Sequence, residues 1–141
     1  MKKFFLIAII IFSFPGGMAQ SKDESSIRYI LDRQVNAWNM GDIRTFMQGY
    51  WQSDSLLFIG KTGVTYGWQP TLDNYKKRYP DTASMGKLTF TLLEFKPLAF
   101  PYYFVVGKWH LERSIGNIEG HFSLLFKKII NQWFIVADHS S

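Results

Sequence analysis

The apolar residues of this chain repeat at helical spacing in its first half and alternate along most of its second half. A first helix is predicted over residues 22–39, where Ser21 and Glu24 have the spacing of a capping box. The apolar residues on one face of this helix are Ile27, Ile30, Leu31, Val35 and Trp38. This face is expected to lie against another part of the protein.

Two further helices and two short strands are predicted next. Asp42 is placed to cap a short second helix, and Pro70 lies in the first turn of a third helix that ends before Pro80. Between these helices, residues 56–59 and 64–66 have the composition of short strands that are joined by a turn.

After a loop predicted at residues 84–86, the apolar residues alternate as they do in strands. Four strands are predicted at residues 87–96, 102–114, 118–130 and 133–140. The chain therefore has its helices first and most of its strands last. No repeat or linker divides it into two domains.

A two-residue turn at Gly116-Asn117 would fix how the second and third of these strands pair. The opposed pairs on the inner face would then be Trp109 with Leu124 and Leu111 with Phe122. On the outer face, Glu112 would oppose His121. The separation of large apolar residues onto one face favours this register over a shift by one residue.

The last strand contains Asp138 and His139, which point to opposite faces because side chains alternate along a strand. A turn at Asn131-Gln132 would place His139 on the inner face with Ile135, and Asp138 on the outer face. A histidine titrates near neutral pH, so His139 is the candidate for acid–base chemistry or for orienting a ligand. The alternative is that it is a structural histidine at a strand end.

The N-terminal segment, residues 1–19, has the features of an export signal. Two lysines precede an apolar run at residues 4–14, and Gly17 and Ala19 are the small residues expected before the cut. Cleavage would leave residues 20–141 as a single domain that is periplasmic or secreted. The apolar run is shorter than the roughly 20 residues that span a bilayer. The alternative is that the segment is retained as an anchor.

Composition narrows the classes of function. Cysteine is absent, which excludes disulfides and a cysteine nucleophile. The formal net charge of +5 falls to +3 without Lys2 and Lys3, too little and too scattered to indicate nucleic-acid binding. No cofactor is predicted, and no contact with a membrane is expected after the signal is cleaved.

Several short segments, in their order along the chain, resemble the nuclear transport factor 2-like (NTF2-like) superfamily and its SnoaL-like and domain-of-unknown-function 4440 branches. These segments are residues 37–42, 50–60, 67–68, 107–109 and 133–140. The resemblance covers about residues 26–141 and implies an α+β cone. In such a cone, a strongly bent, mostly antiparallel sheet surrounds a pocket that three N-terminal helices cover. Members include isomerases, dehydratases, cyclases and modules that only bind or oligomerise.

Resemblance to the ketosteroid isomerase relatives implies a carboxylate base near the end of the first strand. The matching positions are Phe58 and Ile59, neither of which is acidic. Isomerase activity is therefore not expected by analogy, because no group at that place abstracts a proton.

Flat aromatic side chains are candidates for the walls of a ligand pocket. The predicted pocket residues are Trp38, Tyr50, Tyr75, Trp109, Phe122 and His139. Such walls suit a small hydrophobic or aromatic molecule. The alternative is that these rings are ordinary core.

The outer face offers an alternative site in His110, Glu112 and His121, because two imidazoles and a carboxylate are suitable metal ligands. Cross-strand ion pairing is the simpler interpretation, and no metal is predicted. The same face is the predicted homodimer interface.

Three functions remain as hypotheses. The leading one is an exported domain that binds a small hydrophobic molecule. The alternative is an enzyme of the dehydratase, isomerase or cyclase type that uses His139 with the hydroxyl of Tyr50 or Tyr75. The second alternative is a non-catalytic homo-oligomerisation module.

Overall fold

The structure is a computed structural model that describes the backbone of residues 16–141 and the side chains of residues 22–141. The predicted export signal, residues 1–19, lies outside the residues whose side chains are described. Its cleavage stays a prediction.

Helices come first along the described chain, and the longest strands come last. The helices are α1 (Gly16–Asn39), α2 (Ile43–Phe46), α3 (Trp68–Arg78) and α4 (Thr82–Met85). A 3₁₀ turn at Met47–Gly49 continues α2. The strands are β1 (Leu57–Gly60), β2 (Gly63–Tyr66), β3 (Lys87–Pro97), β4 (Tyr102–Glu112), β5 (Ile118–Ile129) and β6 (Gln132–Ser140).

The strands form a six-stranded sheet in the order β2-β1-β6-β5-β4-β3. Neighbouring strands are antiparallel except β1 and β6, which are parallel. The N-terminal helices pack on the sheet, so the predicted α+β architecture is confirmed. Among the described residues, no helix combines the length and the hydrophobicity that crossing a membrane requires.

Short polar side chains start two of the helices. The Asp42 carboxylate caps α2 by accepting the backbone N–H of Thr45 at 2.9 Å and its hydroxyl at 2.6 Å. Asp81 and Ser84 form a capping box at the start of α4. The prediction of a loop at residues 84–86 was therefore wrong for its first two residues, because the capping box stabilises a helical turn there.

The connection between β4 and β5 is longer than the predicted two-residue turn. It runs from residue 113 to 117, and the backbone N–H of Arg113 donates to Asn117 Oδ1 at 2.9 Å. As a result Trp109 opposes Gly120 rather than Leu124. The partner is displaced by an even number of residues, so both strands keep the inner and outer faces that were predicted.

A β-bulge in β6 reverses the predicted orientation of its last residues. The ladder with β5 passes from Ala137 to Ile135 and leaves Val136 as an extra residue. Beyond the bulge, Asp138 faces inward and is 3% exposed, whereas His139 is exposed. The prediction that His139 lies on the inner face was wrong, because the alternation of side chains shifts by one residue at Val136.

The core lies between the helices and the inner face of the sheet. Its most deeply buried apolar side chains include Ile27, Leu31, Met47, Leu56, Leu72, Val105, Phe126 and Ile135. Gly107 is part of this packing, because a Cβ there would overlap the ring of Phe122 on the opposite strand. The absent side chain lets that ring lie directly over β4.

Candidate functional site

A cavity of about 810 Å³ remains between the helices and the inner face of the sheet. Its lining includes Trp38, Tyr50, Tyr75, Trp109, Phe122 and Asp138. A volume of this size lies in the range of small-molecule sites in proteins. The predicted aromatic residues therefore surround a space rather than fill it.

Tyr75, on α3, lies at the centre of the aromatic wall. Its ring centroid is 5.4 Å from that of Phe46, 5.6 Å from Phe58 and 6.0 Å from Trp38, in edge-to-face contacts. Such contacts hold rings in defined orientations and add to the stability that their burial provides. The wall is therefore rigid and mostly apolar.

The last residue of α4 and the start of β3 hold Trp38 and its neighbour Asn39. Trp38 Nε1 donates to the backbone carbonyl of Met85 at 3.1 Å. The neighbouring Asn39 side chain accepts the N–H of Leu88 at 2.7 Å and donates to its carbonyl at 3.1 Å. These bonds fix the C-terminal end of α1 on the start of β3.

Tyr50 reaches the inner face of β6 because the chain after the 3₁₀ turn runs beside that strand. Tyr50 forms a parallel bridge with Ile135, and the N–H of Trp51 donates to the Ile135 carbonyl at 2.9 Å. The hydroxyl of Tyr50 then donates to Asp138 Oδ2 at 2.7 Å. Ser140 Oγ donates to the other oxygen, Oδ1, at 2.7 Å.

Burial has the largest effect on the pKa of the Asp138 carboxyl. It raises the pKa of Asp138 to about 6, although the hydrogen bonds from Ser140 and Tyr50 favour the carboxylate. Burial, together with the charge of Asp138, raises the pKa of Tyr50 well above its usual value. Tyr50 thus stays a neutral donor, while Asp138 changes its charge close to neutral pH.

The indole ring of Trp109 forms another part of the cavity lining. Its Nε1 is buried and has no hydrogen-bond partner among the described residues. Gly120 lies opposite on β5 and leaves room for the indole, because a Cβ at that position would approach Trp109 to 2.9 Å. This unpaired donor carries a desolvation cost, and because it has almost no accessible surface, a molecule in the cavity does not reach it.

The structure brings five of the six predicted pocket residues to the cavity: Trp38, Tyr50, Tyr75, Trp109 and Phe122. It places His139 outside, where the side chain is exposed, and Asp138 inside. The sequence did contain a signal for Asp138, because alternation allows one member of the Asp138-His139 pair to face inward. Only the bulge, which the pattern of residues does not reveal, decides which one.

The weaker metal hypothesis on the outer face required a pairing that the structure does not have. Glu112 pairs with Lys87 on β3 instead of with His121, which pairs with Lys108. His110 pairs with Glu119. Among the described residues, no group of three or more His, Cys, Asp and Glu side chains is arranged to hold a metal ion. The longer β4–β5 connection is the reason that Glu112 and His121 are apart.

Replacing Tyr50 with phenylalanine should lower the free energy of unfolding at neutral pH by about 1–3 kcal/mol, since a buried carboxylate loses a donor. The pKa of Asp138 should rise further, because the lost bond favours the charged form. Urea unfolding and NMR titration of the carboxyl carbon measure the two effects. Tyr79→Phe is the control, because the Tyr79 ring is buried beside Tyr75 but its hydroxyl makes no hydrogen bond to another described residue. Equal effects of both substitutions would contradict the role of the Tyr50 bond.

Comparison with known proteins gives the class of this chain. No protein-family model matches it, and no curated protein matches it. An NTF2-like protein of unknown function from Shewanella oneidensis is 44% identical, with a TM-score of 0.81 over 84% of this chain and 98% of that chain. An NTF2-like superfamily protein from Salmonella enterica is 21% identical, with a TM-score of 0.66 over 89% and 92%. A ketosteroid isomerase-like protein from Erwinia carotovora is 14% identical, with a TM-score of 0.63 over 83% and 93%.

This chain belongs to the NTF2-like family. The 44% identity across almost the whole Shewanella protein carries that conclusion, whereas the other two likenesses show the fold alone. Membership of the SnoaL-like or domain-of-unknown-function 4440 branch stays a prediction. The Shewanella protein forms this fold with almost no residues beyond the matched span.

Proposed function

We propose that the protein binds a small, mostly apolar molecule with one polar group inside the cavity. The observation that carries this proposal is the hydrogen-bonded pair of Tyr50 and Asp138, buried at a cavity whose walls are mostly apolar. Apolar walls supply affinity by removing hydrophobic surface from water, and a few polar groups orient the ligand.

The Asp138 carboxylate, at the polar end of the cavity, has capacity for up to about two more hydrogen bonds. Each oxygen of Asp138 accepts one bond from the protein, and an ionised carboxylate accepts up to about four. A ligand hydroxyl or amine would donate to it.

Two probes that differ in one polar group test the proposal. 2-Naphthol has an aromatic body and one hydroxyl, and 2-methylnaphthalene has the same shape without the donor. At pH 7.5 we expect 2-naphthol to bind about tenfold more tightly, as one additional hydrogen bond to a buried carboxylate predicts. Fluorescence titration measures both. Absence of binding by either probe would overturn the proposal, and equal binding would remove the role of Asp138.

An enzyme that moves a proton is the second candidate function. The specific observation in its favour is that the pKa of Asp138 is raised to about 6 inside a cavity, close to the value a general base needs. Asp138 is thus the candidate base, in place of the neighbouring His139 that the sequence predicted. Enzymatic exchange of the α-hydrogens of 2-tetralone for deuterium, lost in Asp138→Asn, is the expected result. Exchange at the uncatalysed rate would rule against this candidate for such ketones.

Export and homodimerisation complete the proposed function. The sequence of residues 1–19 supports export to the periplasm or the medium, and N-terminal sequencing of the recovered protein should begin at Gln20. The mixed polar outer face of β4 and β5 supports a homodimer, which light scattering measures. A retained N-terminus or a monomer at high concentration would contradict these two parts.

A further inference from the structure

Two turns that carry exposed apolar side chains lie side by side at one end of the sheet. The β3–β4 turn carries Leu98 and Phe100, which are 50% and 81% exposed, and the β5–β6 turn carries Ile130, which is 96% exposed. The backbone N–H of Lys128 donates to the carbonyl of Pro101 at 2.9 Å and joins the two turns. We call Leu98, Phe100 and Ile130 the apolar tip.

Two features of Ile130 are unfavourable in the isolated protein, its backbone conformation and its exposed apolar side chain. Its φ of 44° lies in the left-handed region, which a β-branched residue rarely adopts, while the next residue, Asn131 at 65°, is well suited to it. Its side chain also exposes nearly all of its surface to water. Packing inside the fold does not account for an isoleucine here, and burial against an apolar surface outside the domain would offset its cost.

Charged residues near the apolar tip have an excess of cations. The cations are Lys96 near the end of β3, Lys127 and Lys128 near the end of β5, and Lys22 and Arg28 on the part of α1 that bonds to β5; the carboxylates are Asp23, Glu24 and Glu94. Lys128 pairs with Asp23 at 2.8 Å and Arg28 with Glu24 at 2.7 Å. Lys22, Lys96 and Lys127 have no salt bridge among the described residues, so they are available to an anionic surface.

Helix α1 begins at this same end of the molecule. Asp23, near its start, accepts bonds from Lys128 Nζ at 2.8 Å and from Trp133 Nε1 at 3.0 Å, beside the β5–β6 turn. In sequence, the apolar run at residues 4–14 comes shortly before α1. An anchor retained there would bring the apolar tip to a membrane.

We propose that the apolar tip docks on anionic phospholipid membranes, with Phe100 and Ile130 entering the headgroup region and the free lysines binding the lipid phosphates. Apolar burial and electrostatic attraction together drive this kind of peripheral binding. The proposal departs from the sequence-based expectation that the cleaved domain avoids membranes. It is independent of the proposed ligand, because strand-end residues that line the cavity, such as Ile118 and Ser140, lie at the opposite end of the sheet.

Vesicle flotation of residues 20–141 tests the docking without the N-terminal segment, on a span close to that of the Shewanella protein, which folds as a unit. Phosphatidylglycerol mixed with phosphatidylcholine is compared with phosphatidylcholine alone. We expect binding to the anionic vesicles that weakens in high salt. The double substitution Phe100→Ser with Ile130→Asn should lower the partition coefficient at least about tenfold. Lys96→Glu with Lys127→Glu should abolish the preference for anionic lipid.

Ile115→Asn is the matched control, because Ile115 is 63% exposed in the turn at the opposite end of the same strands. It should leave flotation unchanged. Ile130→Asn should not lower the melting temperature, since asparagine tolerates the left-handed backbone. A loss of binding in this variant would therefore not reflect unfolding.

Failure of the unsubstituted protein to float, or an equal loss in Ile115→Asn, would overturn the proposal. Dissociation of an oligomer by Ile130→Asn with unchanged flotation would also overturn it, and would assign the tip to contact between copies.

Discussion

Replacing Asp138 with asparagine should remove most of the pH dependence of the free energy of unfolding between about pH 4 and pH 6. Burial raises the pKa of this carboxyl from 3.8 to about 6. The native protein therefore holds the proton more tightly than the unfolded chain does. The resulting stabilisation is complete below the unfolded pKa and is lost as the pH rises through the folded pKa. A difference of about two pKa units corresponds to about 3 kcal/mol.

Urea unfolding at a series of pH values measures this effect. Asp42→Asn is the control, because Asp42 is a carboxylate on the surface whose pKa is lowered by its bonds to Thr45. Its contribution has the opposite sign: it is present above the unfolded pKa and is lost only as the pH falls below it. An Asp138→Asn variant that kept the slope of the original protein above pH 4 would show that Asp138 is not the group responsible.

The same substitution should change the binding of 2-naphthol. An ionised carboxylate is a stronger acceptor than a carboxylic acid or an amide, so the original protein should bind the probe more tightly as the pH rises through about 6. Asp138→Asn should bind it weakly at every pH in this range. If the affinity of the variant for 2-naphthol still depended on pH in this range, the titrating group would be a residue other than Asp138. Asp138 would then not be the group that binds the probe.

Replacing Gly86 with alanine should lower the free energy of unfolding by at least about 3 kcal/mol. Gly86 has φ 59° and ψ −156°, a conformation that is essentially restricted to glycine. An added Cβ would also overlap the backbone carbonyl of Glu112, which cannot rotate away as a side chain would. Because the adjacent Met85 carbonyl holds Trp38, the variant should also weaken the binding of aromatic probes.

Gly41→Ala is the matched control for that substitution. Gly41 also has a positive φ, 78°, but a Cβ there has no atom within 4 Å. It should cost only about 1–2 kcal/mol, the penalty of a left-handed residue. The difference between the two variants in thermal or urea unfolding isolates the clash with Glu112. Equal losses of stability would mean that the clash is relieved by movement of the backbone.

The sequence allowed most of the fold to be predicted, because helices and strands follow from local features. These features are the spacing of apolar residues and the glycine, proline and capping residues at the ends of each element. The alternation of β4 and β5 identified Trp109 and Phe122 as inward residues even though the turn length was wrong. The observed register of β4 against β5 differs from the predicted one by an even number of residues. The error in turn length therefore changed which residues are opposed, but each side chain stayed on its predicted face of the sheet.

The candidate site could be predicted only in part, because its polar centre depends on a tertiary irregularity. The bulge at Val136 arises where β6 pairs with β5, and no local residue pattern specifies it. The aromatic walls were recognised from residue type, whereas the buried acid was assigned to the wrong face. The contact between Tyr50 and Asp138 joins residues far apart in sequence, and only the fold brings them together.

The bonds between Asn39 and Leu88 also affect how this protein resists aggregation. Strand β3 is an edge of the sheet, and an edge strand offers free backbone groups to a strand of another molecule. Asn39 occupies both the N–H and the carbonyl of Leu88, and a bulge at Leu93 interrupts the same strand further along. The long edge is thus protected against intermolecular strand addition, and the four-residue strand β2 is the shorter edge that remains.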